Sequence, residues 1–538
     1  MESSEINLIS AEVDDDKLKD VLESFMQKFG ESFNLIKLTT TGQWTLLWNN
    51  LFDILLKTPT KLQLQCLQTI RILSRDKTYL NETINEEQFD CLLELASIGA
   101  QNASLSSQHS PEVQTEALKI LCNLVFQSPK SQEFCLKNSA VEGILKRLRT
   151  CKEQYVDYNI KYFDMKLLFL ITALTPNVRI KVRDFDGLVY LVETLDLMMK
   201  NTTSKEFEQQ DINLINEILK VLFNITVTGP TSVESEEDED QHLQRLAIVL
   251  HDLLQFDAKQ KENKEEYHSN IVNLLTNIPV SCYSELVPSS TEETPKHEIF
   301  ENIDMHAIVI LLKFLELRLN KIFGATASKD YEQLPPILTV IIKSVRCTST
   351  IRRFVRSKVL PPMSCNFKKR PEEGTTLRNH LCKLLTYPST QISDLVAELL
   401  FVLCKENVGR MIKYTGYGNA AGLFAKKGLL GGRTSENQQQ YSSDSEDSDT
   451  EEYKELLHGI NPVIGCYEPP KKNPFEGMSE EQKEYEAEKL ANLIDQLDKQ
   501  GIIKPCKINE EGKPIPVNHV LELQSEIPEQ QRDFKKKT

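Results

Sequence analysis

Over roughly 400 residues the apolar positions recur at helical spacing, and one short template returns at a near-constant interval. Leu118-Lys-Ile-Leu-Cys-Asn123-Leu124, Leu219-Lys-Val-Leu-Phe-Asn224-Ile225 and Val272-Asn-Leu-Leu-Thr-Asn277-Ile278 share the pattern apolar-x-apolar-Leu-x-Asn-apolar. Leu168-Phe-Leu-Ile-Thr-Ala173-Leu174 fits with Ala in place of Asn. The starts at 118, 168, 219 and 272 lie 50, 51 and 53 residues apart, and a weaker leucine-rich version begins 51 earlier, at Leu67. Turn residues punctuate the intervals at Pro59, Pro111, Pro129, Pro176, Gly229-Pro230 and Pro279. A short helical unit cannot bury its apolar face alone and must stack on its neighbours. The pattern therefore predicts an all-α, armadillo/HEAT-like right-handed superhelical solenoid of roughly eight to ten units with a concave groove.

The array is expected over residues 1–415, followed by a Gly-rich segment (416–433), an acidic, phosphorylatable and Pro-rich linker (434–478), one further helix (479–500) and a flexible tail (501–538). The acidic insert Ser232–Asp240 and the stretch Pro288–Lys296 read as solvated loops. The late helix is well signalled. Ser479 is an N-cap with Gln482 in the capping-box position, Leu490, Leu493, Ile494 and Leu497 form an apolar stripe, and Gly501 stops it. Such a stripe needs a surface to cover.

Charge narrows the choice of partner. At −16 formal charge and a pI near 5.3, the chain lacks the cationic excess that neutralises phosphates, which argues against nucleic acid. The first 20 residues lack a basic region followed by an apolar core, and no run approaches the span of a bilayer, so a soluble cytoplasmic protein is expected. The twelve cysteines form no C-x-x-C pair and read as reduced thiols.

No recognisable catalytic chemistry is written in the motifs. G-x-x-x-x-G-K-[ST], H-E-x-x-H and G-x-S-x-G are absent, and the histidines show no metal-ligand spacing. Gly416-Tyr-Gly418-Asn-Ala-Ala421 matches a dinucleotide fingerprint in form, but it follows a helical pattern rather than a strand and reads as a helix-breaking turn. Neither an enzyme nor a cofactor is expected.

Binding residues are better candidates. In armadillo-like arrays the recurring Asn (Asn123, Asn224, Asn277) faces the groove, and helix-terminal capping is the other reading. Arg71 and Arg75, one turn apart, offer two guanidinium forks to a carboxylate or a helix C-terminus, or else form surface ion pairs. Phe163 and Phe169 line the groove or belong to the core. Ser443 and Ser448 carry Glu446 and Glu451 at the +3 position that casein kinase II prefers. Their phosphates would suit a basic cluster such as Arg352-Arg353-Phe-Val-Arg356.

Several strings resemble the synembryn family: Arg71-Ile-Leu-Ser-Arg-Asp76, Val359-Leu-Pro-Pro362, Phe401-Val-Leu-Cys404, Lys413-Tyr-Thr-Gly-Tyr-Gly-Asn-Ala-Ala-Gly-Leu423, Ile460-Asn-Pro-Val463 and Met478-Ser-Glu-Glu-Gln-Lys-Glu484. The resemblance implies a chaperone and guanine-nucleotide exchange factor for heterotrimeric G-protein α subunits, monomeric and recruited to the cell cortex through them. It implies that the groove, with Arg71, Arg75, Asn123, Phe163 and Phe169, captures the C-terminal helix of Gα, while the Ser479–Gln500 helix braces the nucleotide domain. Phosphosites at Ser443 and Ser448 are also implied. The rival reading is a generic armadillo adaptor, import-receptor-like, although such receptors line their groove with paired Trp and Asn and the chain has two Trp only, Trp44 and Trp48.

Overall fold

A computed structural model of the chain describes residues 15–32, 35, 38, 42–57, 61–99, 109–150, 156–202, 204–227, 236–290, 295, 298–324, 330–363, 368–430, 450–468, 477–508 and 514–517. The fold is an all-α repeat solenoid. By internal contacts the stretch read as one array divides into two compact units, Met1–Leu286 and Val287–Thr538.

In the first unit five helices, Gln63–Leu73, Pro111–Gln127, Tyr158–Leu174, Gln209–Thr226 and Lys261–Leu275, pack each on the next and form a central stack. They carry the repeated template. Leu118, Leu121, Leu168, Ile171, Leu219, Leu222 and Leu275 are fully buried, so the apolar stripe is what stacks one repeat on another. The capping residues set the helix ends. Ser110 accepts from the Val113 N–H with Pro111 at the first helical position, and Ser128 closes that helix and opens Pro129–Lys137 by accepting from the Ser131 N–H. Trp44 and Trp48 stack at 5.1 Å in the core, where Trp48 Nε1 donates to Gln88 Oε1 at 3.1 Å.

One expectation changes here. Glu236–Asp240, read as part of a loop, opens the Glu236–Gln255 helix, because acidic residues favour a helix N-terminus. Ser232–Ser235 lie outside the described residues. A two-residue parallel ladder, Glu206–Phe207 with Asp257–Ala258, joins adjacent repeats.

In the second unit Leu334–Cys347 packs against Thr390–Leu403, with His306–Phe323, Ser349–Val359 and Leu377–Leu385 around them. The Gly-rich block breaks the chain at Gly416 and again at Gly428, which caps the intervening helix at φ +69°. Gly416 has φ +75°, and a regular helix, Tyr417–Lys427, follows and packs on Thr390–Leu403. A Cβ on Gly416 would lie 3.0 Å from the backbone of Ile464 and Gly465, so the strand pair Ile460–Asn461 with Cys466–Tyr467 crosses at a point that only glycine fits. The late helix is Glu480–Lys499, with the Ser479–Gln482 capping box formed and Gly501 at φ +70° after it. Among the described residues no helix is long and apolar enough to cross a membrane, and no cysteine is disulfide-bonded.

Candidate functional site: the central stack of the first unit

The recurring Asn is a clamp between repeats. Asn123 Nδ2 donates to Ser74 Oγ at 2.9 Å, Asn224 Nδ2 to Thr172 Oγ1 at 3.0 Å, and Asn277 Nδ2 to Thr226 Oγ1 at 3.0 Å. Each hydroxyl in turn donates to carbonyls of its own helix: Ser74 to Arg71, Thr172 to Leu168 and Phe169, Thr226 to Leu222 and Phe223. Asn277 and Asn224 also reach the carbonyls of Phe223 (3.0 Å) and Phe169 (3.4 Å). Each amide thus ties its own helix to a hydroxyl at the C-terminal end of the preceding stack helix, a hydrogen bond across repeats rather than within one. The partners Ser74, Thr172 and Thr226 were not singled out in the sequence, although a Ser or Thr near the C-terminal end of each preceding stack helix was the signal.

The same helices carry a rail of paired charges. Arg71 Nε meets Glu116 Oε2 at 2.6 Å, and Glu116 Oε1 accepts from Lys119 Nζ at 2.7 Å. Lys119 Nζ stands 5.4 Å above the Phe163 ring, and Lys166 Nζ stands 6.0 Å from the same ring. In the following repeat Lys220 Nζ lies 5.8 Å from Phe169, 3.1 Å from Glu217 and 3.6 Å from Glu266. Burial would depress the Lys220 ammonium, but the Glu217 and Glu266 carboxylates outweigh it and hold its pKa above the ordinary lysine value. Seven residues before the template position stand Glu116, Lys166, Glu217 and Asn270, and four residues before it Lys119, Phe169, Lys220 and Asn273. Part of the rail is therefore periodic in the sequence, with the Glu and Lys of Glu116/Lys119 recurring as Glu217/Lys220 at and just before the start of the template.

The expected groove residues fall on or beside this rail. Phe163 and Phe169 are half-buried rather than core. Arg71 is engaged with buried Glu116. Arg75 lies just past the helix end, where Nη1 donates to the Gly30 carbonyl at 2.6 Å. Burial, with Arg71's like charge, holds its pKa below the ordinary arginine range. The two forks therefore do not form one matched pair, and Arg75 also ties the first helices together. Among the described residues of the unit Phe126 is the most exposed large apolar side chain, at 66%, three residues after Asn123.

Other expected residues lie elsewhere. On the Glu480–Lys499 helix Leu490 and Leu493 are exposed, Ile494 and Leu497 half-buried, and none is fully covered. The basic triplet is not an open patch. Arg352 and Arg356 are buried, Arg356 lies 5.9 Å from the Tyr414 ring, and Arg353 is ion-paired with Glu301. Ser443 and Ser448 lie outside the described residues. The first residue described after them, Thr450, donates from Oγ1 to the Met363 carbonyl and caps the Glu451–Leu456 helix. At the fingerprint-like block the Tyr417 and Gly418 N–H groups donate to Pro462 and Val463 carbonyls at 2.8 Å each, so the amides a pyrophosphate would need are occupied.

Residues 66–513 match the family model described as guanine nucleotide exchange factor synembryn. The chain belongs to the synembryn family. It is 40% identical to "Chaperone Ric-8" of Drosophila melanogaster over the whole of both chains. It is also 40% identical to "Chaperone Ric-8A" of Gallus gallus over 85% of each. Among solved structures, one from a study of the phosphorylation switch between cadherin and beta-catenin superposes at TM-score 0.46 and 12% identity, covering 81% of each chain. The family match begins at Cys66, in the first stack helix, and includes every residue of the rail.

Proposed function

We propose that this synembryn-family chain is a folding chaperone and guanine-nucleotide exchange factor for heterotrimeric G-protein α subunits, with no catalytic chemistry of its own. The observation that carries the reading is the rail. Charges of both signs alternate with the half-exposed rings of Phe163 and Phe169 along five stacked helices, a surface suited to an amphipathic helix whose polar face carries both charges. That helix is the C-terminal helix of Gα. Arg71, Arg75 and Asn123 sit at the start of the rail, and Leu490, Leu493, Ile494 and Leu497 form the bracing stripe of the second unit's late helix.

Exchange then follows from differential binding. A partner that holds the nucleotide-free α subunit and not the closed GDP-bound form shifts the balance by RT ln(1 + [L]/Kd), about 2.7 kcal/mol at a hundredfold excess over Kd. The same preference shelters a newly made α subunit until nucleotide binds. Casein kinase II modification at Ser443 and Ser448, a monomeric state, and cytoplasmic residence with recruitment to the cortex through Gα complete the proposal.

The test is complex formation between purified Gα and the full chain by size-exclusion chromatography, without nucleotide. Phe163→Ala with Phe169→Ala, both half-buried positions, should abolish co-elution while leaving the melting temperature within a few degrees. An unaltered complex would remove the rail from the binding surface.

A further inference from the structure

We propose that the second unit holds a binding site for a small, multiply phosphorylated ligand of the inositol polyphosphate class. The site is a cavity of about 950 Å³ walled by the His306–Phe323 helix, the end of the Ser349–Val359 helix and the start of the Leu377–Leu385 helix.

Five basic side chains line it, Lys313, Lys358, Lys368, Lys369 and Arg378, against three acidic ones, Glu298, Glu316 and Glu373. Glu298 is hydrogen-bonded to His306, and among the described residues five cations face three carboxylates. None of the four lysines forms an ion pair among the described residues, and Lys358 Nζ rests 5.3 Å from the Phe354 ring. In a chain of net charge −16, so many cations on one concave surface without carboxylate partners is a local reversal of sign.

Arg378 makes the observation specific. It is only 5% exposed, and the one hydrogen bond of its guanidinium is to the thioether of Met363, 3.0 Å from Nη1. A buried guanidinium with five donors and no carboxylate is costly unless an anion completes it. Burial accordingly draws its pKa below the ordinary arginine value. The backbone adds to this. Arg378 is the second residue of its helix, and the N–H groups of Leu377 and Arg378, both on the cavity wall, have no acceptor among the described residues. Two orphan amides at the positive end of a nine-residue helix thus stand on the same wall as a buried planar fork, a set of donors that suits a phosphate.

The remaining lysines stand on other walls, so they suit further phosphates on the same ligand rather than a single ion. Among the described residues no aromatic side chain lines the cavity. Glu316 and Glu373 suit the hydroxyls of a cyclitol ring.

The test is isothermal titration calorimetry on phosphatase-treated full-length protein, with inositol hexakisphosphate and inositol 1,4,5-trisphosphate as probes. Flotation with phosphatidylcholine vesicles, with and without phosphatidylinositol 4,5-bisphosphate, accompanies it. One saturable site is expected, weakened at least about tenfold by Lys368→Glu with Lys369→Glu, two exposed positions whose exchange leaves the fold intact by circular dichroism. Lys483→Glu with Lys489→Glu, the same charge change on the late helix, should leave it unaltered. Arg378→Lys, which keeps the charge and loses the planar fork, should weaken it to a lesser extent. Binding of the soluble probes alone assigns a free metabolite, and vesicle flotation that requires the lipid assigns a headgroup. Absence of saturable binding, or equal weakening by the two lysine pairs, would overturn the proposal.

Discussion

Asn224→Ala removes one cross-repeat clamp. The amide is buried at 8% exposure, donates to Thr172 Oγ1 at 3.0 Å, and makes a long contact of 3.4 Å with the Phe169 carbonyl. Thr172 keeps its own bonds to Leu168 and Phe169, so no hydroxyl is stranded. The loss is then about 1 kcal/mol for the short bond and less for the long one, about 1.5 kcal/mol in all. Asn224→Asp keeps the shape but sets a carboxylate against the Phe169 carbonyl. It should cost about 3 kcal/mol, since a buried charge without a donor is worse than a missing bond. Both tryptophans, Trp44 and Trp48, lie in the first unit, so urea unfolding followed by tryptophan fluorescence of the full chain reports this unit and not the second. A double-mutant cycle with Thr172→Val should return a coupling of about 1 kcal/mol. A coupling within about 0.3 kcal/mol of zero, or an Asp variant no worse than Ala, would refute the clamp.

Other predictions follow the same chemistry. Asp164 is fully buried beside Arg147, at 3.3 Å, and burial pushes its carboxyl up to about 6 despite that partner. Because the folded pKa exceeds the unfolded value of about 3.9, the native state binds the proton more tightly, and this group's contribution falls as pH rises between those values. Relative to Asp164→Asn, the wild type should lose about 2 kcal/mol from pH 4 to pH 7, read by the fluorescence midpoint. Opposite slopes would invert the assignment. Glu116→Gln removes the carboxylate shared by Arg71 and Lys119 and should cost about 1–3 kcal/mol, and the added variant Arg71→Met should recover part of it. Truncation before Ser479 removes a helix with no buried residue and should leave the urea midpoint by far-UV circular dichroism unchanged while weakening Gα-dependent activity. A fall in the midpoint would show that the helix covers the solenoid instead.

The fold was legible because stacking repeats must repeat their apolar stripe, and a period near 50 residues survives in the chain as the Leu-x-Asn template. The late helix was legible for a local reason, since its capping box and stop glycine lie within one turn of its ends. What was hidden depends on pairs distant in sequence. Nothing local ties Asn224 to Thr172, or Arg71 to Glu116, and a hydrogen-bonding residue on a helix looks the same whether it faces a neighbour or a partner. The Gly-rich block was legible as a helix-breaking turn, which Gly416 makes at φ +75°. The helix Tyr417–Lys427 that restarts at once was not, because glycine is a poor helix former and packing on Thr390–Leu403 holds this one. The Arg352–Arg356 cluster reads as a surface charge run, but its helix turns two of the three arginines inward. Lys313, Lys358 and Arg378 come together only through tertiary packing.

The most direct measurement is the rate of GDP release from purified Gα, with and without this protein, in parallel with Arg75→Glu and with the chain truncated before Ser479. The account predicts faster release with the full chain and loss of that acceleration in both variants. Unchanged release together with no stable complex, whether Gα carries GDP or no nucleotide, would contradict it.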